Sequence, residues 1–136
     1  MADKTCHVVG STTQVGLTQA LGTMIFALAT DEMTLFVFDT EADALGYCEG
    51  IDVEDDGWRF WDSAGKALRP EFTTPNKHAW FGSCNGIYRL VPSSDQPSLV
   101  DAISTIHGID RNKFFTSISA VKDYIYNSSQ ASQHGA

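Results

Sequence analysis

Positive charge is what this sequence has least of: nine Lys and Arg stand against 17 Asp and Glu, for a formal net charge of −8. Such a field repels phosphate and anionic lipid, so nucleic acid and membrane are not expected partners, and a basic protein is. Cysteine is scarce too. Cys6, Cys48 and Cys84 form no C-x-x-C pair, so neither a zinc site nor a disulfide framework is expected, and an odd number of thiols favours a reducing, cytoplasmic setting. No apolar run approaches the roughly 20 residues that span a bilayer. Phosphate loop, dinucleotide fingerprint and helically spaced histidine pair are all missing, which removes the usual support for nucleotide-dependent and zinc enzymes and leaves no cofactor or metal to expect.

What is present is enough for one folded domain: 136 residues, 43% hydrophobic and 19% charged. Residues 1–32 stand apart from the rest, with no Trp, Tyr, Pro or Arg. They read as an N-terminal extension, with Met33 as a candidate natural start. A signal-like reading places small residues at Ala27-Leu28-Ala29 and implies a secreted or periplasmic product if residues 1–29 are removed. An ordinary strand or helix is the third reading, since Leu17, Ala20, Leu21, Met24, Ile25 and Leu28 recur at helical spacing. The domain proper is then 33–127, followed by a polar tail at 128–136 expected to be disordered.

Within 33–127 the periodicities are clear. "TLFVFD" from Thr34 is a buried strand, and Asp39 or Thr40 caps a following helix that ends near Gly50, with Cys48 facing inward. "WRFW" alternates Trp58 and Phe60 against Arg59 and Trp61, and Asp62 with Gly65 turns it into a hairpin with "KALRPEF", where Pro70 must lie at an edge or end. Asn85-Gly86 suits a type I′ turn and predicts a second hairpin with Cys84 opposite Ile87 and Phe81 opposite Leu90. Leu99, Ile103 and Ile106 predict a helix ending at Gly108, and Ser117 caps a last one carrying Ile118, Val121 and Ile125. The order predicts an α+β fold: a small two-layer sandwich with a mainly antiparallel sheet of about five strands, two hairpins, and helices on one face.

The stretch "GIDVEDDGWRFWDSAGK" concentrates the unusual chemistry. Asp52, Glu54 and Asp56 match the first positions of a calcium loop, but the closing bidentate glutamate is replaced by Ser63, so a turn carrying solvated charge explains more. If Trp58 and Phe60 face the helices, Arg59 and Trp61 share the open face. Trp beside Arg, rimmed by carboxylates, is the composition of an interface centre. The expected binding surface is therefore Asp52, Glu54, Asp55, Asp56, Arg59, Trp61 and Trp80.

The reading is a non-catalytic acidic protein that recognises a basic protein partner, for example a bacterial immunity-type inhibitor occupying a toxin's basic active site. The alternatives are a thiol-dependent hydrolase using Cys84 with His78 or His107, and a module binding calcium or a small ligand. On one strand, His78 and Cys84 stand ~20 Å apart, and His107 reads as a capping group at a helix C-terminus, so neither histidine is placed as a base for the thiol.

Overall fold

The computed structural model describes residues 23–79 and 82–134. Strands β1 (Ile25–Ala29), β2 (Thr34–Phe38), β3 (Trp58–Trp61), β4 (Ala67–Thr74), β7 (Ile87–Pro92) and the short β8 (Gly108–Ile109) form a six-stranded sheet in the order β7-β4-β3-β1-β2-β8. Strands β5 (Lys77–Ala79) and β6 (Gly82–Cys84) pair as a separate ribbon. All pairings are antiparallel except that of β2 with β8. The helices are α1 (Glu41–Tyr47), α2 (Gly50–Glu54), α3 (Leu99–Ala102) running into a 3-10 turn (Ile103–Thr105), and α4 (Ile118–His134). The fold is α+β, as the periodicities predict.

The largest departure from the sequence reading is β1. "IFALA" lies at the middle of the sheet, bonded to β2 on one side and β3 on the other, and all five residues are buried. Residues 25–32 therefore belong to the domain, and the boundary expected at Met33 is wrong. Ala27-Leu28-Ala29, read as a cleavage site, is the centre of the sheet. A strand apolar on both faces needs cover on both. Phe26 and Leu28 belong to one core cluster with Trp61, Leu99, Ile103, Phe115, Val121 and Ile125, while Ile25 and Ala27 belong to another with Ala44, Cys48, Val53, Phe60 and Tyr88. So α1 and α2 cover one face and α3 and α4 the other, and the face expected to be open is closed.

The local signals hold. Thr40 Oγ1 accepts from the Asp43 amide at 3.1 Å, and Ser117 Oγ from the Ala120 amide at 3.1 Å, each as an N-cap. Asp62 Oδ1 accepts from the amides of Ala64 and Lys66, and Gly65 sits at φ +85°, closing the β3–β4 hairpin. Pro70 lies in mid-strand, but the pairing of β4 with β3 ends at Phe60 and Leu68, so no partner there asks for its missing N–H. The α4 helix runs on to His134, through most of the segment expected to be a disordered tail. Leu99, Ile103 and Ile106 are buried as expected, although the helix tightens to 3-10 and then gives way to β8, so His107 is no helix cap; its amide donates to the Met33 carbonyl at 2.8 Å.

The Asn85-Gly86 hairpin does not form. Among the described residues positive φ occurs only at Met33, Asp56 and Gly65, whereas a type I′ turn needs it at both central positions. Long-range bonds decide the local conformation instead: Asn85 Oδ1 accepts from the Ile51 amide at 2.9 Å, and Asn76 Oδ1 from the Gly86 amide at 2.6 Å. Hence β7 pairs with β4, Cys84 pairs with Lys77, and Ile87 meets Thr74. The Phe81–Leu90 pairing involves a residue outside those described. A Cβ on Gly86 would lie 2.0 Å from the Thr74 carbonyl oxygen, whereas one on Gly82 meets nothing within 4 Å. Gly86→Ala is expected to cost about 1–3 kcal/mol by denaturant unfolding, from the backbone shift it forces, and Gly82→Ala far less.

Candidate cation-recognition cleft

The acidic loop lines a cleft, with different aromatic neighbours from those expected. The β1–β2 turn supplies Thr30, Asp31 and Glu32, and the passage from α2 into β3 supplies Asp52, Asp55, Asp56 and Gly57. Together with Ala29, Phe36, Tyr47 and Trp58 they line an open cleft of about 460 Å³. Two bonds hold the turns together: the Thr30 amide donates to the Gly57 carbonyl at 3.0 Å, and Thr30 Oγ1 to the Asp56 carbonyl at 2.8 Å. Asp56, at φ +64°, takes the left-handed conformation that Asp tolerates better than most residues. Gly57 is needed for close approach rather than for positive φ, since its amide donates to the Asp52 carbonyl at 2.8 Å and a Cβ would lie 2.9 Å from that oxygen.

The aromatic floor follows from the two alanines of β1. Ala27 lies between Phe36 and Phe60, and Ala29 between Thr34 and Trp58, all directed to the α1–α2 face. Small side chains there let Phe36 and Trp58 meet over β1 with ring centroids 5.3 Å apart, edge to face. Tyr47, at the end of α1, joins them at 5.4 Å from Phe36 and 5.9 Å from Trp58. Tyr47 is 56% exposed and lines the cleft.

The five carboxylates of the cleft are exposed, and none takes part in the ion pairs found among the described residues, which join His78 to Glu54, Arg89 to Glu71 and Lys113 to Asp39. Uncompensated negative charge beside π-faces attracts a cation twice over, through the carboxylates and through the ring quadrupoles. Among the described residues no three His, Cys, Asp or Glu side chains converge so as to hold a metal ion, so the calcium-loop reading gains no ligand set.

The other expected site residues scatter. Trp61 is 2% exposed and packs in the α3–α4 core, its indole Nε1 donating to the Pro97 carbonyl at 2.9 Å. It is no surface anchor; the face assigned to it is covered by helices. Arg59 is exposed but pairs with Leu28, which directs it to the Trp61 side of the sheet, away from the cleft. Trp80 lies outside the described residues. Glu54 turns from its neighbours in the loop: its Oε1 accepts from Asn76 Nδ2 at 2.9 Å and lies 3.1 Å from His78 Nε2. Those bonds, Asn76 first and His78 second, hold its carboxyl below the usual range. This contribution to stability is present at neutral pH and is lost as pH falls through the lowered value.

The thiol reading fails on its nucleophile. His78 and Cys84 stand on paired strands of the β5–β6 ribbon, closer than a single strand would place them, but Cys84 is disulfide-bonded and His78 is engaged by Glu54. His107 is exposed at the opposite edge of the sheet, leading into β8. Cys48 is the free thiol among the described residues, fully buried under α1, with its pKa pushed up to about 12 by burial first and Asp52 second. Cys48 is therefore expected to resist iodoacetamide at pH 8 in the folded chain and to react once denatured, which peptide mapping reads directly. Because unfolding restores its ordinary value of 9.0, Cys48 also weakens the fold progressively as pH rises above that value.

Sequence reasoning missed Asp31, Glu32, Phe36, Tyr47 and Trp58. The first two lie in the supposed extension, Phe36 and Trp58 lie on faces that read as buried, and Tyr47 falls outside the apolar spacing of its helix. Alternating small residues in "IFALA" were the available signal, legible only once the neighbours of β1 are known. Comparison with family models, with curated proteins and with solved structures finds no match to this chain. Among the described residues no helix is long and apolar enough to cross a membrane.

Proposed function

We propose that the protein is a non-catalytic binding module whose acidic, aromatic-floored cleft receives a cationic side chain of a basic protein partner. One observation carries this reading: five carboxylates without ion-pair partners among the described residues and three mutually touching rings line a single cleft of about 460 Å³. That volume lies in the range of roughly 300–1,000 Å³ typical of ligand sites, and an Arg or Lys side chain fits within it. A guanidinium suits the lining best, because it can stack on Tyr47 or Trp58 while its N–H groups fork onto Asp55 or Asp56. The remaining negative charge steers the partner in and makes association salt-dependent. A stoichiometric inhibitor that occupies a toxin's basic active site is one form such a protein takes.

The test is binding of an Arg- and Lys-rich peptide to the full chain and to the Asp52→Asn, Asp55→Asn, Asp56→Asn triple variant. The proposal expects the variant to lose at least about tenfold in affinity and to show a shallower salt dependence. Equal affinity and equal salt slope would remove the cleft from consideration.

A further inference from the structure

Strand β7 is an edge of the six-stranded sheet, and at six residues it is long enough to recruit another strand. Its inward bonding is fixed by the register with β4, in which Ser93 donates to the Ala67 carbonyl at 3.0 Å and Arg69 faces Val91. Alternation then turns the backbone groups of Tyr88, Leu90 and Pro92 outward. Pro92 has no N–H to offer. The Leu90 amide is already taken: it donates to Glu41 Oε2 at 2.9 Å, from the first residue of α1. The opposite edge, β8, has only two residues.

We infer that the Glu41 carboxylate is a built-in stopper that keeps the β7 edge of one copy of this chain from pairing with the β7 edge of a second. The edge is otherwise self-complementary. A two-fold axis at Leu90 would let each Leu90 amide donate to the other's carbonyl, and each Tyr88 amide donate to the opposite Pro92 carbonyl. Glu41 occupies the central donor of that ladder within its own chain, and Pro92 weakens the flanks. This inference is independent of the cleft, which lies at the junction of β1, β2 and β3.

Amide exchange and mass measurement together decide it. In the wild-type chain the Leu90 amide is expected to exchange at least about tenfold more slowly than the Tyr88 amide, because among the described residues only the former has an acceptor. Glu41→Gln, which keeps an acceptor oxygen, preserves that ordering and the monomeric mass. Glu41→Ala speeds Leu90 exchange in dilute solution and, on concentration, doubles the mass by light scattering while the Tyr88 amide becomes protected. A Glu41→Ala chain of unchanged mass at every concentration overturns the inference. Equal exchange of Leu90 and Tyr88 in the wild type overturns it as well, and that result does not require the variant to fold.

Discussion

Phe26→Ala lowers the free energy of unfolding by about 3–5 kcal/mol, and a chain begun at Met33 shows no cooperative unfolding transition. Phe26 is fully buried, and its ring packs on Phe115 at 5.9 Å between centroids. Its strand supplies the pairing surface for both β2 and β3. Without β1 the sheet divides into two separate pieces, each with unpaired edges and with apolar faces opened to water. A domain whose whole stability is of the order of 5–15 kcal/mol does not survive that loss. The point substitution separates the role of β1 from that of the first 22 residues. Circular dichroism and urea unfolding read both, and a Met33 chain with a normal transition would contradict the central placement of β1.

Trp61→Ala is the second large effect, again about 3–5 kcal/mol, and it falls on stability rather than on recognition. The indole fills the core between β3 and the helices of the α3–α4 face. Trp61→Phe keeps most of the apolar area and gives up the Nε1 bond to Pro97, for a loss nearer about 1 kcal/mol. Below its melting point Trp61→Phe binds a basic peptide as the wild type does, since Trp61 and the cleft lie on opposite faces of the sheet. A selective loss of binding with unchanged stability would reinstate Trp61 as a surface anchor.

Trp61 also shows where sequence reasoning stops. Elements defined by neighbours a few residues apart were legible: the β2 run, the Thr40 and Ser117 caps, the Asp62–Gly65 turn, and the inward Cys48. Alternation also separated Trp58 from Trp61 correctly, because it depends only on the pleat. What alternation does not contain is whether both faces are covered. That depended on "IFALA", whose apolar residues satisfy helical and strand patterns alike over so short a span. With β1 set aside as an extension and the helices placed on one face of a two-layer fold, the other face is left open and Trp61 falls on it, whereas α3 and α4 cover it.

The same step hid the cleft. Asp31 and Glu32 join Asp52, Asp55 and Asp56 only because the turn after β1 is bonded through Thr30 to the turn before β3. Asn85-Gly86 failed for a related reason. Its turn preference is worth less than the fixed partners that Asn76 and Ile51 provide, so tertiary bonding overrode a strong local signal. The acidic loop stands out by composition alone, and three of its four carboxylates line the cleft, whereas Glu54 is committed to Asn76 and His78.

The most direct measurement is a nuclear magnetic resonance titration of the full chain with an Arg- and Lys-rich peptide, following the indole Nε1 protons of Trp58 and Trp61. Trp58 lines the cleft, and Trp61 is an internal reference, locked to Pro97 in the opposite core. If the cleft takes the cation, the Trp58 signal shifts progressively and saturably, added salt reverses the shift, and Trp61 stays in place. A Trp58 signal that does not move while the peptide binds would contradict cation binding in the cleft.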